Sequence, residues 1–162
     1  MPKIENKWDS LYDPGKQTWF TKLEEKAINW YFSRMFGKTI LSASGVKSGK
    51  IFEPGCGSGM TCVQFAQDGF DITLMDLSPN ALKKALTTFE NFGQSCKFTI
   101  GDLFNLPFPD EEFDVVFNQG VMEHFKIAGI NPDVGIQEML RVVKKDGTLV
   151  ILVPAFFSPL FF

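Results

Sequence analysis

Glu53 to Gly59 read E-P-G-C-G-S-G. Glycine lacks a Cβ, so alternating glycines let a backbone turn through positive φ and approach a ligand closely. A helix that follows such a turn offers free N–H groups. Two acids stand beyond apolar stretches downstream, Asp76 after D-I-T-L-M and Asp102 after T-I-G. A carboxylate at a strand end can accept hydrogen bonds from both hydroxyls of a ribose. The chemistry implied is recognition of a nucleoside-like ligand.

Other residues offer chemistry with two readings each. Cys56 lies inside the glycine run, where a helix N-terminus can lower a thiol's pKa, and it is also a small residue able to fill a tight loop. Asp110, Glu111 and Glu112 form an acidic triplet, which reads as metal ligands or as a solvated turn; no metal site is expected. His124, in V-M-E-H-F, is the sole histidine. It can serve as a general base near neutral pH, or it packs beside a ligand or caps a following helix. No catalytic residue is assigned.

Two familiar phosphate loops are excluded by spacing. A dinucleotide turn needs G-x-G-x-x-G or G-x-G-x-x-A; counted from Gly55, the last place is Met60. A P-loop needs Ser or Thr after Gly-Lys and a preceding strand. Gly49-Lys50 is followed by Ile51 and precedes a strand.

These residues need elements to hold them. Lys16 to Phe36 reads as a helix, with Phe20, Leu23, Ala27, Trp30, Tyr31 and Arg34 at helical spacing. Gly37 is its expected stop, and Ser42 to Gly49 a small-residue linker. Ile51 to Glu53 is a short strand, Met60 to Gln67 a helix closed by Gly69, and Asp71 to Asp76 a strand. Ser78 and Pro79 open a second helix reaching about Phe92, with Pro79 at its first position. Ser78 competes with Asp76 for the capping role. Cys96 to Ile100 and Phe113 to Phe117 are strands, Val134 to Val143 is helical, and Thr148 to Val153 is the last strand. The alternation predicts an α/β fold: a doubly wound parallel sheet of about five strands with right-handed crossovers. Apolar strands such as L-V-I-L-V fit a sheet covered on both faces. Residues 1–49 form an N-terminal helical extension, and residues 50–162 the core of the same domain.

Composition is that of an ordinary globular chain: 162 residues, 44% hydrophobic, 22% charged, net charge −3. The charge leaves no electropositive footprint for nucleic acid or an anionic membrane surface. No apolar run reaches the length of a membrane span, and the N-terminus lacks a signal-peptide stretch. Cys56, Cys62 and Cys96 form no C-x-x-C pair. A reducing cytoplasm is the expected location.

The loop, with its G-x-G-x-G spacing after an acid, resembles the first motif of class I S-adenosylmethionine-dependent methyltransferases. Asp102 to Phe117 resembles that family's stretch between the third and fourth strands, and Leu140 to Ile151 its helix, turn and fifth strand. Asp146-Gly147 stands where the family usually has Pro-Gly or Gly-Gly; aspartate tolerates the turn. The resemblance runs from Ile51 to Leu152 and implies a Rossmann-like sheet. It also implies S-adenosylmethionine as cofactor, with S-adenosylhomocysteine as product. Implied cofactor contacts are Glu53, Gly55, Cys56, Gly57, Gly59 and Met60 around the loop. Asp76 and Leu77 follow at the ribose. Asp102 would meet the adenine amino group and Leu103 the ring. Backbone at Asn118 and Gln119 would meet the methionine end, and the loop glycines would pack on the methionine and ribose parts.

The acceptor implied is a small molecule. No N-P-P-Y or D-P-P-Y tetrad of base-modifying relatives follows the fourth strand, where the residues are N-Q-G-V. The N-terminal helix, with Trp19, Trp30, Tyr31 and Phe36, is expected as core or lid, Tyr12 and Trp19 being the lid contacts. The family sheet continues beyond the fifth strand, whereas this sequence ends at P-A-F-F-S-P-L-F-F. An uncovered edge is an association hazard. The expectations are a fragment, a short gene product, or an oligomer or partner chain on that edge. A truncated cofactor-binding module or partner subunit without activity is the alternative function, and an NAD-dependent oxidoreductase a third.

Overall fold

The computed structural model describes residues 9–10 and 19–153. Along the chain run α1 (Trp19–Ser44), β1 (Lys50–Pro54), α2 (Met60–Gln67), β2 (Asp71–Asp76) and α3 (Pro79–Asn91). Then follow β3 (Lys97–Ile100), β4 (Phe113–Gln119), α4 (Met122–Ile127), α5 (Asp133–Val142) and β5 (Val143–Leu152). The strands form one parallel sheet in the order β3-β2-β1-β4-β5. This is the doubly wound, Rossmann-like arrangement expected from the alternation. The order reverses between β1 and β4, which puts the ligand crevice of such sheets at the carboxyl end of β1.

Strand alternation divides the core. Ile51, Ile72, Leu74, Val115 and Phe117 pack on one face with Phe65 of α2, Phe89 of α3 and Ile40 of α1. Phe52, Met75 and Val116 pack on the other with Met139 and Val142 of α5. Because both faces are covered, most positions of β1 and β4 are buried, and a buried polar residue within them stands out.

Three local readings are corrected. Gly37 does not stop α1, which continues to Ser44. A Cβ at Gly37 would lie 3.4 Å from the Phe65 ring, so this glycine marks helix-to-helix contact. Trp30 and Tyr31, expected in the core or lid, are exposed and so are not core. β5 begins at Val143, where Thr148 was expected: Phe113 pairs with Val143 and Val115 with Thr148, so residues 144–147 bulge from the ladder. The Asp146-Gly147 turn is this bulge. Tyr12 and the segment after Val153 lie outside the described residues, as does the side chain of Trp19. No helix among the described residues is long and apolar enough to cross a membrane.

Candidate functional site

Glu53, Asp76 and Asp102 lie at the carboxyl ends of β1, β2 and β3, three neighbouring places along one sheet edge. Glu53 is buried, and its Oε2 has no hydrogen-bond partner. Burial pushes its pKa up to about 8; a hydrogen bond from the Cys62 thiol opposes the rise and the Asp76 charge adds to it.

Asp76 joins strand to loop. Its Oδ2 accepts the Gly57 N–H at 2.9 Å and its Oδ1 the Ser78 N–H at 2.9 Å. Burial raises its pKa, opposed by the N–H groups of Ser78, Gly57 and Leu77. A carboxylate has about four lone-pair sites, so the two bonds leave room for ribose hydroxyls. The capping competition resolves in favour of Ser78, whose Oγ accepts the Ala81 N–H at 3.0 Å.

The loop spends its N–H groups internally. Gly55 and Cys56 both donate to the Met75 carbonyl, at 2.7 and 3.0 Å, and Gly59 donates to the Cys56 carbonyl at 2.9 Å. With Gly57 committed to Asp76, these amides form no cradle for a phosphate. The glycines also have a packing role within the protein. A Cβ on Gly55 would lie 2.7 Å from Val121, and one on Gly59 3.0 Å from Leu74 and 3.3 Å from Ala85 and Phe89. The expected close packing of glycine on a ligand is thus, at these two places, packing of glycine on its own fold. Met60 opens α2 and Leu77 follows β2, both half-buried.

Asp102 is half-buried, with Oδ1 accepting the Phe104 N–H at 3.0 Å, which leaves Oδ2 for a ligand. Leu103 is buried in the core with Leu106, Met122 and Phe125. Asn118 is fully buried; its Nδ2 donates to the Pro54 carbonyl at 2.7 Å, while its Oδ1 has no partner. Gln119 Oε1 accepts the Thr61 hydroxyl at 3.3 Å.

The remaining candidates separate. Burial pushes the Cys56 thiol well up, so this cysteine fills the loop as a neutral group. His124 sits within α4, 3.8 Å from Glu123, and does not cap it. The acidic triplet pairs outward: Asp110 with Arg141 at 2.9 Å, Glu111 with Lys145 at 3.3 Å and Glu112 with Lys50 at 2.7 Å. Three acids with three different bases do not converge on a metal.

Sequence reasoning missed Asp9. Its Oδ1 accepts from Ser78 Oγ at 2.7 Å and from the Asn80 N–H at 3.1 Å, and its Oδ2 from Asn80 Nδ2 at 3.0 Å. Asp9 is thereby held at the start of α3, beside Asp76 and Leu77. The available signal was the helix N-terminus itself, which attracts an anion.

The family profile described as methyltransferase domain matches residues 52–151. The chain belongs to the class I S-adenosylmethionine-dependent methyltransferase family. It is similar to norajmaline N-methyltransferase of Rauvolfia serpentina, 29% identical over 147 residues, 89% of this chain and 49% of the relative. It is also similar to 2-methyl-6-phytyl-1,4-hydroquinone methyltransferase of Synechocystis, 36% identical over 104 residues, 62% of this chain and 30% of the relative. Among solved structures it resembles the PH0226 protein of Pyrococcus horikoshii, with a TM-score of 0.66 and 26% identity over 75% of this chain and 57% of that one. It also resembles the [4+2]-cyclase SpnF, with a TM-score of 0.64 and 27% identity over 73% of this chain and 44% of that one. This methyltransferase chain spans about half the length of the first curated relatives it matches.

The family implies S-adenosylmethionine as methyl donor, and the residues fit such a group. The donor is a sulfonium with a ribose. The edge offers acceptors, namely an orphaned buried carboxylate oxygen on Glu53 and carboxylates on Asp76 and Asp102.

Proposed function

We propose that this protein transfers a methyl group from S-adenosylmethionine to a small-molecule acceptor. The observation that carries the reading is the character of the sheet edge. The N–H groups of Gly55, Cys56, Gly57 and Gly59 are all spent within the protein. What faces a ligand is acid, which repels a pyrophosphate and suits a cation bearing hydroxyls. When bound, the donor supplies an electrophilic methyl on a positively charged sulfur.

The chain's own residues bind and position. Asp76 accepts the ribose hydroxyls, Asp102 the adenine amino group, and the β4 exit at Asn118 and Gln119 meets the methionine end. Glu53, Gly55, Cys56, Gly57, Gly59, Met60 and Leu77 complete the surround, and the Leu103 contact is through its backbone. Much of the rate enhancement can come from positioning alone, so no general base is assigned. A small-molecule acceptor is supported by the net charge of −3, and by the norajmaline and hydroquinone in the names of the relatives. The SpnF likeness shows that the fold alone does not decide the reaction.

Calorimetry with S-adenosylmethionine, S-adenosylhomocysteine and NAD tests the reading. Binding of the first two without NAD is expected; NAD binding alone overturns it. Transfer of labelled methyl to amine and hydroquinone panels then identifies the acceptor.

A further inference from the structure

Glu53 is the one acid of the edge buried on every side. It lies within the central strand β1, just before the loop, with Oε2 unpartnered. The titratable groups that act on it are the Cys62 thiol from α2, the Cys56 thiol of the loop and the Asp76 carboxylate from β2. Both thiols are pushed up by burial and stay neutral, and Asp76 carries the same sign as Glu53. No cation among the described residues offsets its charge.

A buried carboxyl without a cation keeps its proton. A ligand that brings a positive charge beside it supplies the missing partner and lets the proton leave. We infer that Glu53 reads the charge of the bound ligand: it is protonated in the empty site, releases its proton to solvent when a sulfonium binds, and so favours the charged donor over its uncharged thioether product. The inference rests on the proposed donor. It adds a specificity device, since donor and product differ by one methyl and one positive charge and share ribose, adenine and amino-acid parts. Proton changes at Asp76 or at the ligand's own carboxylate are common to both ligands. The part of the difference between the two titrations that is lost in E53Q therefore isolates the response of Glu53 to the sulfur's charge.

Linkage gives the direction. With a group of pKa about 8 neutral in the empty site, affinity for the cation rises with pH until Glu53 is ionised unaided. The preference for donor over product should increase about tenfold between pH 7 and pH 9 and level off above.

The experiment is calorimetry of the full-length protein with S-adenosylmethionine and with S-adenosylhomocysteine. Each pH is run in phosphate and in Tris, whose ionisation heats differ and report proton release. Expected at pH 7 is release of close to one proton more for the donor than for the product, the excess vanishing by pH 9. In E53Q the excess should be absent, and the donor-to-product ratio independent of pH. Circular dichroism checks that E53Q folds; should it not, the wild-type buffer series decides alone. Equal proton release for both ligands with a pH-independent ratio in the wild type overturns the inference and leaves the donor assignment standing. Failure of wild type to bind either ligand at any pH overturns the donor assignment itself, and the inference with it.

Discussion

Asp76 Oδ2 accepts the Gly57 N–H at 2.9 Å, so the acid that ends β2 holds the loop that follows β1. One carboxylate thereby shapes the loop and, in the proposed function, also receives the ribose. D76A should weaken S-adenosylmethionine and S-adenosylhomocysteine equally, by about ten- to a hundredfold, the size of one or two charge-assisted hydrogen bonds. Calorimetry reads it directly. Unchanged affinities contradict the ribose role, and unequal losses place Asp76 nearer the sulfur.

Gly59 has φ of 64° and forms the N-cap of α2 against Leu74, Ala85 and Phe89. G59A combines a strained backbone with an overfilled contact, and should destabilise the fold by about 2–4 kcal/mol. Urea unfolding measures it. A loss no larger than the cost of the backbone alone means that α3 moves aside to admit the methyl.

Much of this architecture was legible because its signals are local. The bounds of α2 and β2 follow from apolar spacing and from the glycine and aspartate at their ends, and Ser78-Pro79 announces α3. The misreadings arise where a distant partner decides. Gly37 looks like a stop until Phe65 is packed against it. The start of β5 is hidden by its bulge, where Lys144 reaches Asp114 at 2.6 Å while Asp114 accepts the Lys50 N–H at 2.7 Å. The gathering of Glu53, Asp76 and Asp102 at one sheet edge was legible from residue types and strand ends, but their states were not. That the loop amides are spent, that Glu53 is buried without a cation, and that Asp9 clamps α3 are relations between segments far apart in sequence.

Glu53 also sets a pH dependence for the ligand-free fold. Its folded pKa of about 8 stands above the ordinary 4.5, so the folded state keeps a proton that the unfolded chain has lost. Its contribution is most favourable below pH 4.5, declines as pH rises to about 8, and is flat above. The slope approaches 1.4 kcal/mol per pH unit for one proton. Asp76, also raised, acts in the same direction. Asp114 and Glu138, whose pKa values are lowered, act only in acid, below the window considered. The melting temperature of the empty wild type should fall between pH 5.5 and 8, and the fall should be shallower in E53Q. Calorimetric melting without ligand checks it; parallel slopes in the two proteins contradict the buried, protonated Glu53.

Arg141 of α5 holds the segment that follows Asp102. Its Nη1 donates to the Phe108 carbonyl at 2.8 Å and to Asp110 at 2.9 Å, and its Nη2 to the Leu106 carbonyl at 3.1 Å. Glu138 completes the staple: it accepts Arg141 Nε and Nη2, both at 2.8 Å, and the Leu106 N–H at 2.8 Å. These contacts are partly exposed, so R141A should cost about 1–3 kcal/mol, from lost hydrogen bonds more than from lost charge. Lysine keeps the charge but lacks the planar fork that reaches two carbonyls and two carboxylates together. R141K should therefore recover less than half of the loss. Hydrogen exchange at the Leu106 amide, which Glu138 Oε2 accepts, should be slow in the wild type and quicken in both variants. Wild-type exchange and stability in R141K would mean that charge alone holds this segment, and that the fork geometry is dispensable.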